Sequence, residues 1–440
     1  MTSLDTEPIS PHELRDAWPV LSRDERVESF KLVPHATADD FFLSLSAQEQ
    51  AELLVALAPG ERRTWMRLLA PDDAVDVVQS APPEAREALL SELDETTRHE
   101  VQALLAYAED DAGGLMNPRF ARLRPEMSID EAISYLRKQT REKVETVYYA
   151  YVLDTQQRLL GVVSLRQLFL AAPGLRVEKV MRRDVITVRD DTDQESVGRL
   201  FSEHGLMAIP VVDAEMHMKG IVTVDDIVQV VQEEATEDIQ KVGGMEALEA
   251  PYFEVGLLAM LRKRAGWLLV LFVGEMLTAT AMGYFENEIA RAVVLSLFIP
   301  LIISSGGNSG SQATTLIIRS LALSEVRLKD WWRVARREVL AGLALGCILG
   351  TVGIARILVW QVLFQSYGEH AVLVALTVGM SLVGVVTYGT LAGSMLPFIL
   401  KRAGFDPASA SAPFVATLVD VSGLIIYFTT ASIILSGTLL

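Results

Sequence analysis

The sequence predicts a multidomain chain: an all-α N-terminal domain, a duplicated α/β module, a connecting helix and five membrane-spanning helices. Three observations carry this prediction. Acidic residues concentrate in the first 250 residues, a strand-and-helix pattern repeats between residues 111 and 241, and long apolar stretches fill the chain from residue 265 onward.

Charge divides the 440-residue chain into two parts. Residues 1–250 hold 47 Asp and Glu against 26 Lys and Arg, whereas residues 251–440 hold 10 against 13. The acidic part argues against a nucleic-acid partner, because phosphate binding requires a basic surface. We expect its partners to be cations.

Cysteine and histidine usage disfavours several kinds of site. The single cysteine, Cys347, lies in an apolar run, so neither a disulfide nor a thiolate metal site can form within one chain. The six histidines show no His-x-x-x-His or Glu-x-x-His pair, which disfavours zinc and di-iron sites. The first ten residues lack the basic and apolar regions of a signal peptide, so we expect the N-terminal half to stay in the cytosol.

Residues 1–110 are predicted to form the helical N-terminal domain. Apolar residues recur at helical spacing in AELLVALAPGERRTWMRLL and AREALLSELDETTRHEVQALLAYA. Prolines divide the helices into short pieces, which indicates either a stack of helix pairs or a plain bundle. The dividing prolines are Pro59, Pro71, Pro82 and Pro83.

Residues 111–241 contain an internal repeat, whose first copy ends at residue 172 and whose second begins at residue 173. In the second copy an apolar run ends at Asp213, Gly220 follows, and Thr223 opens a helix. The first copy shows the same order at Asp154, Gly161 and Ser164. Self-similarity on this scale predicts two copies of one module.

A connecting helix over residues 242–264 is predicted to precede a membrane domain of five helices over residues 265–440. The second span is expected to be interrupted at Pro300 and at GGNSG, residues 306–310. Lys and Arg concentrate in the loops on the N-terminal side, which predicts a cytosolic N-terminus and an external C-terminus. The spans are placed at 265–284, 291–318, 338–361, 371–400 and 412–437.

Several long motifs occur in one order along the chain: DDAGGLMNP, GIVTVDDIV, EEATEDI, GGNSGSQATTLIIRSLA and DPASASAPFVATLVDVSGLIIYF. In these motifs the chain closely resembles the MgtE family of magnesium channels over nearly its whole length. The resemblance implies a helical N domain, paired cystathionine-β-synthase (CBS) modules, a plug helix and five membrane helices. It also implies a homodimer in a bacterial-type inner membrane, and magnesium where composition indicates only a divalent cation.

Asp420 lies in the middle of the fifth span. An ionised carboxylate in lipid is costly, so this side chain must face a partner or water. It either joins helices as a buried hydrogen-bonded group or lines a pore. Because Mg²⁺ keeps several waters, two copies of Asp420 across a dimer axis could hold a hydrated ion. The family resemblance implies that Asp420 is the ion-binding residue of the pore.

Two alanines belong to the same candidate pore site. Some members of the family place Asn eight residues before the pore Asp, where this chain has Ala412. A side-chain contribution to selectivity is therefore not expected here. Backbone carbonyls from Ala412 to Ala416 remain candidate ligands.

Two other polar features of the spans have open interpretations. Glu275 either forms a structural ion pair with Arg356 or contributes to the pore. The segment GGNSGSQ either packs helices together or lines the pore near Asp420. Its polar candidates are Asn308, Ser309 and Gln312.

Acidic residues concentrate at the end of the second module and in the segment that follows it. They form either a solvated face or a regulatory cation site, because bound cations would relieve their like-charge repulsion. The resemblance implies that magnesium bound among these acids closes the channel. The candidates are Asp225, Asp226, Glu233, Glu234, Glu237, Asp238, Glu246 and Glu249, with Glu109, Asp110 and Asp111 at the start of the first module.

The turn that begins at Gly220 resembles nucleotide-binding CBS motifs. In those motifs a Thr and an Asp hold the ribose, and Thr223 and Asp225 occupy the matching positions. Because many CBS pairs bind no ligand, the module is either an ATP site or purely mechanical.

A passive magnesium channel is the leading function. The chain has no Walker A motif, so we expect no ATP hydrolysis and no enzyme activity. A potential of 100 mV, negative inside, favours divalent influx by about 4.6 kcal/mol, twice the single-charge value. The alternative is a proton- or cation-coupled transporter of Mg²⁺, Co²⁺ or Mn²⁺. An intramembrane aspartyl protease is disfavoured, because the spans hold no Gly-x-Gly-Asp and no pair of facing Asp residues.

Overall fold

The computed structural model describes residues 10–139, 144–248, 252 and 255–439. The chain divides into two units, Met1–Val231 and Gln232–Leu440. Each unit buries its own hydrophobic core.

Short helices build the N-terminal domain of the first unit. They are α1 Pro11–Ala17, α2 Arg23–Lys31, α3 His35–Leu43, α4 Ala47–Ala56, α5 Pro59–Met66, α6 Pro71–Ser80, α7 Pro83–Glu92 and α8 Glu95–Leu104. Alternate helices pack on one another, α2 on α4, α4 on α6 and α6 on α8. Of the two arrangements left open by the sequence, the helices therefore form the stack.

Arginines join successive helices of this stack. The Arg62 guanidinium donates hydrogen bonds to the carbonyl oxygens of Leu54, Val55 and Leu57 at the end of α4. Arg98 donates in the same way to the carbonyls that end α7. Such terminal carbonyls have no partner inside their own helix. Each arginine thus caps the preceding helix and sets the angle between the two.

The repeat forms two α/β modules of the same topology. Their sheets have the orders β1-β2-β3 and β4-β5-β6, each with a parallel pair followed by an antiparallel pair. Ser164 caps the helix after β3 and Thr223 ends β6 just before the following helix, as the sequence predicts. The elements are α9 Ala112–Leu115, β1 Arg122–Leu123, α10 Ile129–Gln139, β2 Tyr149–Leu153, β3 Leu159–Ser164, α11 Leu165–Leu170, α12 Val177–Val180, β4 Val188–Arg189, α13 Gln194–His204, β5 Ala208–Val212, β6 Met218–Thr223 and α14 Val224–Val242.

The connecting helix predicted over residues 242–264 is wrong as one element. Helix α14 ends at Val242, residues 243–248 are not helical, and the next helix begins at Leu257 as part of the first membrane span. Gly244 adopts a φ of +76°, a left-handed conformation that ends helices and favours glycine. Glu249 lies outside the described residues.

Five helices of the second unit are long and apolar enough to cross a membrane, as the sequence predicts. Helices α17, α19 and α20 pack together, α18 lies along α19, and α15 contacts α20. Their bounds are α15 Leu257–Tyr284, α17 Ile299–Ala322, α18 Trp331–Phe364, α19 Ala371–Arg402 and α20 Ala412–Leu435, with the short α16 Glu286–Arg291 after the first span.

The predicted interruption of the second span at residues 306–310 is wrong. Helix α17 continues through GGNSG. Pro300 lies in its first turn, where a backbone N–H would have no partner inside the helix, so the N–H that proline lacks costs no hydrogen bond. A Cβ on Gly306 would lie 2.5 Å from Val385 of α19, so the glycines allow close helix packing instead of breaking the helix.

Candidate functional site

Asp420 lies half-buried near the middle of α20. Ala412, Ala416 and Asp420 are spaced by four residues and so follow one another along one side of the helix. Ala416 packs against Gly307 of α17, and the Ala412 carbonyl accepts a hydrogen bond from the Ser311 hydroxyl at 3.2 Å. The side of α20 that carries Ala412 and Ala416 therefore lies against α17.

Glu275 of α15 lies beside Asp420. Their carboxyl groups are within hydrogen-bonding reach of each other. The helices approach closely here because Gly274 has no side chain: a Cβ at Gly274 would lie 2.8 Å from the Thr417 methyl group. The structure thus brings together two acids that are 145 positions apart in the sequence.

Of the two interpretations of Glu275, the ion pair with Arg356 does not occur among the described residues. The Arg356 guanidinium donates a hydrogen bond to the Tyr367 hydroxyl at 2.7 Å. It also lies over the rings of Phe298 and Trp360, where cation–π attraction holds it. Arg356, which the sequence offered as a partner for Glu275, therefore has its partners in an aromatic site near the end of α18.

The polar residues of GGNSGSQ divide between two faces of α17. Asn308 and Gln312 are exposed and one helical turn apart, and the Asn308 amide reaches the Ser304 hydroxyl at 3.4 Å. Ser309 is buried, and its hydroxyl has no hydrogen-bond partner among the described residues. The glycine face is thus used for packing, whereas the amide side chains of Asn308 and Gln312 are exposed.

A second group of acids lies in the first unit and is called the acidic cluster here: Asp72, Asp73, Glu145, Asp225 and Asp226. Buried Asn117 holds it together, because its amide donates to Asp72 at 2.9 Å and to Glu145 at 2.8 Å. Asp226 accepts the Thr223 hydroxyl at 2.5 Å. The cluster joins helix α6, the loop before β2 and the first turn of α14.

The negative charges of the acidic cluster repel one another. Burial raises the pKa of Asp72 well above its ordinary range, and the charges of Asp226, Asp73 and Glu145 raise it further. Burial also raises the pKa of Asp226 to about 7, although the Thr223 hydrogen bonds act in the opposite direction. The cluster therefore holds more negative charge than its surroundings neutralise, as expected of a cation site.

The acids of this cluster are not among the described side chains whose ligand atoms lie close together. Among the described residues, the one group of three metal-type side chains with ligand atoms within 4.8 Å is Asp213, Glu215 and His217. There Asp213 is already paired with His217 and Lys219 in a hairpin turn. The acidic cluster is spaced more widely, and Mg²⁺ prefers carboxylate oxygens while keeping several waters.

A stability measurement can test the repulsion between the negative charges of the acidic cluster. Asp226→Asn keeps an acceptor for Thr223 and removes one charge, so at pH 8 without divalent cations it should raise the free energy of unfolding of the first unit by about 1–4 kcal/mol. A carboxyl whose folded pKa is raised stabilises below its unfolded pKa and loses that contribution as pH rises toward 7. Urea unfolding of residues 1–241 between pH 4 and 8 measures this. Equal curves for Asp226→Asn and the exposed control Glu203→Gln would contradict it.

The sequence predicted two of the five members of the acidic cluster, Asp225 and Asp226, and missed the other three. Asp72 and Asp73 follow Pro71, so they have the pattern of an ordinary helix start with acids in the first turn. Glu145 lies in a polar loop with no local motif. Only the tertiary fold brings these residues together.

The other predicted regulatory acids lie along and after α14. Glu237 pairs with Lys241, whose ammonium also donates to Asp406 at 2.7 Å. Glu246 follows the Gly244 turn, and its backbone N–H donates to the Lys263 carbonyl at 3.2 Å. The members on the helix itself are Glu233, Glu234, Glu237 and Asp238.

Glu109, Asp110 and Asp111 lie at the start of the first module. Asp111 precedes α9 and forms a backbone bridge with Asp193, and the Asp110 carbonyl accepts the Gln194 N–H. Their backbone thus joins the two modules.

The predicted nucleotide residues have structural partners of their own. A Cβ on Gly220 would lie 2.8 Å from the Asn117 carbonyl, and the Thr223 hydroxyl is bonded to Asp226. Asp225 is exposed. A narrow cleft lies nearby, and in the described chain the buried Tyr151 hydroxyl that lines it has no hydrogen-bond partner. The cleft is lined by Tyr149, Tyr151, Val162, Arg182, Val185, Ile186, Leu206, Ala208 and Pro210.

Comparison with known protein families gives consistent matches along the chain. The MgtE profile, described as a divalent cation transporter, matches residues 299–430. The profile of the MgtE intracellular N domain matches residues 9–110, and that of the CBS domain matches residues 112–174 and 177–233.

Individual relatives extend over most of the chain. The magnesium transporter MgtE of Thermus thermophilus is 40% identical over 434 residues, which are 98% of this chain and 94% of the relative. MgtE of Enterococcus faecalis is 33% identical over 76% of this chain and 71% of its own length. Among solved structures, the cytosolic domain of the Mg²⁺ channel MgtE in complex with ATP is 41% identical, with a TM-score of 0.48, and the match covers 51% of this chain and 91% of that one.

Proposed function

Because the chain belongs to the MgtE family of magnesium transporters, we propose that it is a channel that conducts Mg²⁺ down its electrochemical gradient past Asp420. The observation that carries the proposal is the half-buried Asp420 carboxyl group in the middle of a membrane helix, with Glu275 beside it. Ionised carboxylates at that depth require water or a cation. A hydrated divalent ion supplies both.

A homodimer would give this site an aqueous path. Helix α15 is exposed along almost its whole length, and Glu275 is exposed with it. Glu275, Asn308 and Gln312 are exposed and too polar to lie in lipid. A second copy of the chain packed on the exposed side of α15 would cover Glu275 and place two Asp420 residues on either side of one axis.

Cytosolic magnesium is proposed to close the channel through α14. This single helix carries Asp225 and Asp226 in its first turn and Lys241 in its last. Lys241 binds Asp406, shortly before α20 begins, and Gly244 packs against Trp267. A cation that draws the acidic cluster together would thus act on a helix whose other end contacts the segment leading into α20.

Flux into liposomes under an imposed voltage tests the channel proposal. A channel gives Mg²⁺ influx that rises with inside-negative voltage and does not require a proton gradient. A coupled transporter, which the contact between the Glu275 and Asp420 carboxyl groups would also suit, gives influx that follows an imposed proton gradient at zero voltage. Absence of Mg²⁺ flux under both conditions would contradict the proposed function.

The proposed orientation in the bacterial-type inner membrane can be tested with a reporter. Basic loops predict a cytosolic N-terminus and an external C-terminus. A phosphatase fused after Leu440 should therefore be active, whereas the same reporter fused within the loop near Arg327 should be inactive. The reverse pattern would contradict the five-span orientation.

ATP is proposed as a ligand of the second module, with its ribose at Thr223 and Asp225 and the narrow cleft between the modules beside it. Tyr149 offers a ring for stacking and Arg182 a charge for phosphate, and the free Tyr151 hydroxyl offers a hydrogen bond. Asp225→Ala should weaken ATP binding about tenfold, as expected for loss of a ribose hydrogen bond to a charged group. Calorimetry on the full chain measures this, with Asp73→Asn as a control that changes the acidic cluster alone. Equal affinities in the wild type and Asp225→Ala would contradict the assignment.

A further inference from the structure

Helix α15 brings more than one polar group to the Asp420 site. The Glu275 carboxyl group is within hydrogen-bonding reach of Asp420, and Thr278 lies one turn further along the same helix. Thr278 is the buried residue of α15, and α15 packs on α20, so Thr278 lies on the side that faces α20. The close approach of Gly274 to Thr417 fixes the distance between the two helices just below the acids.

The Thr278 hydroxyl differs from most hydroxyls of the membrane domain, and among the described residues of that domain Ser309 and Ser381 also have a buried hydroxyl without a partner. Thr280, Thr417 and Ser422 each donate to the carbonyl four residues earlier, the usual way to satisfy a hydroxyl in an apolar helix. Thr278 is 92% buried, yet its hydroxyl has no partner anywhere in the described chain. A buried hydroxyl without a partner is unfavourable, so its position one turn from Glu275 points to a group that is bound there.

We infer that Glu275 and Thr278 form a second part of the ion site, so that each protomer offers hydrated Mg²⁺ a pair of carboxylates and a hydroxyl. The inference rests on the proposed function and adds to it the residues that set affinity. Mg²⁺ loses its waters reluctantly, and two carboxylates can hold those waters without removing them. The Thr278 hydroxyl accepts a hydrogen bond from one such water. The second charge favours divalent over monovalent cations, because attraction grows with the product of the charges.

Concentration dependence of flux tests the role of Glu275. Glu275→Gln should raise the half-saturating Mg²⁺ concentration about tenfold and leave the maximal flux near that of the wild type, because a charge-assisted contact is lost while Asp420 remains. Glu275→Asp keeps the charge and should restore most of the affinity, which a purely structural role would not require. Thr278→Val keeps the shape and should raise the half-saturating concentration about threefold through loss of one water-mediated contact. Glu286→Gln, just outside the first span, is the matched control and should change nothing.

A measurement without flux separates this inference from the proposed function. Dicyclohexylcarbodiimide labels acids in apolar surroundings, and mass spectrometry of the purified full chain can locate the label at Glu275. Added Mg²⁺ should reduce that labelling, and Asp420→Asn should shift the protection to higher Mg²⁺ concentrations. Labelling of Glu275 that is the same with and without Mg²⁺, or a half-saturating concentration unchanged in Glu275→Gln, would overturn the inference even if wild-type flux is normal. Protection in a chain that shows no flux would support the site and contradict the channel.

Discussion

Replacing Asp420 with alanine is expected to reduce Mg²⁺ flux to the background of empty liposomes. Its carboxyl group is half-buried in the middle of α20, with Glu275 as its acidic neighbour. Loss of the charge removes the group that attracts a divalent ion into a region of low dielectric constant, where the unscreened cost of the ion is high. A drop of at least about a hundredfold is expected, since two lost carboxylates in a dimer correspond to about 3 kcal/mol or more.

Controls separate loss of charge from loss of structure. Asp420→Asn keeps the size of the side chain and should also abolish flux if charge is what matters. Ser422→Ala removes a hydroxyl two positions away, which donates to the Leu418 carbonyl of its own helix, and should leave flux unchanged. Gel filtration shows whether each variant keeps its assembly. Wild-type flux in both Asp420 variants would mean that the residue joins helices and does not hold the ion.

Local patterns predicted the parts of the fold that depend on local chemistry. The prolines that divide the first 110 residues begin helices at Pro59, Pro71 and Pro83, and Ser164 caps a helix as the repeat predicts. The same local reasoning failed where neighbours decide the outcome. The glycines of residues 306–310 continue a helix, and neighbouring helices occupy the space that side chains would take, with Val385 and Val419 at Gly306, Ala416 at Gly307, and Val415 and Gly389 at Gly310.

Long-range contacts were beyond the sequence. Asp420 and Glu275 were each recognised as costly in a membrane, but the sequence offered Arg356 as the nearest reasonable partner for Glu275. Of the aromatic residues around Arg356, Trp360 lies four positions away on the same helix, whereas Phe298 and Tyr367 come from other segments that only the fold brings near. In the same way, only the tertiary fold brings Asp72 close to Asp226.

The charge of the first 250 residues has a consequence for gating. With 47 acids against 26 basic residues, this part of the chain repels itself whenever its domains approach one another. Magnesium bound among the acids relieves that repulsion, so the compact form is expected to be the magnesium-bound form. If the compact form is also the closed form, high internal magnesium closes the channel, because the ion binds the closed state more tightly.

Neutralising the acidic cluster with Asp72→Asn and Asp226→Asn is expected to abolish closure by magnesium within the physiological range. Each Asn keeps an oxygen that can accept the hydrogen bonds of Asn117 and Thr223, so packing is retained while the cation ligands are weakened. If the acids only repelled one another, the double variant would close more readily without magnesium. If they are ligands, the concentration for half-closure should rise at least about tenfold, because two charged contacts are lost. We expect the second outcome.

Patch-clamp recording with magnesium varied on the cytosolic side measures half-closure, and limited proteolysis of the same protein measures compaction. In the wild type, magnesium should protect the chain from protease over the same concentrations that close the channel, and in the double variant both responses should be lost together. A variant that neutralises Glu234, Asp238, Glu246 and Glu249 together should also weaken both magnesium responses. These acids continue the negative charge of the sequence along and beyond α14. Glu84→Gln with Glu203→Gln removes the same number of charges as the double variant from exposed helix positions and should change neither response. A double variant that still compacts and closes at the wild-type magnesium concentration would show that the acidic cluster is an ordinary solvated face. If these acids bound magnesium in the closed state, their removal would weaken that binding and raise the concentration needed for closure.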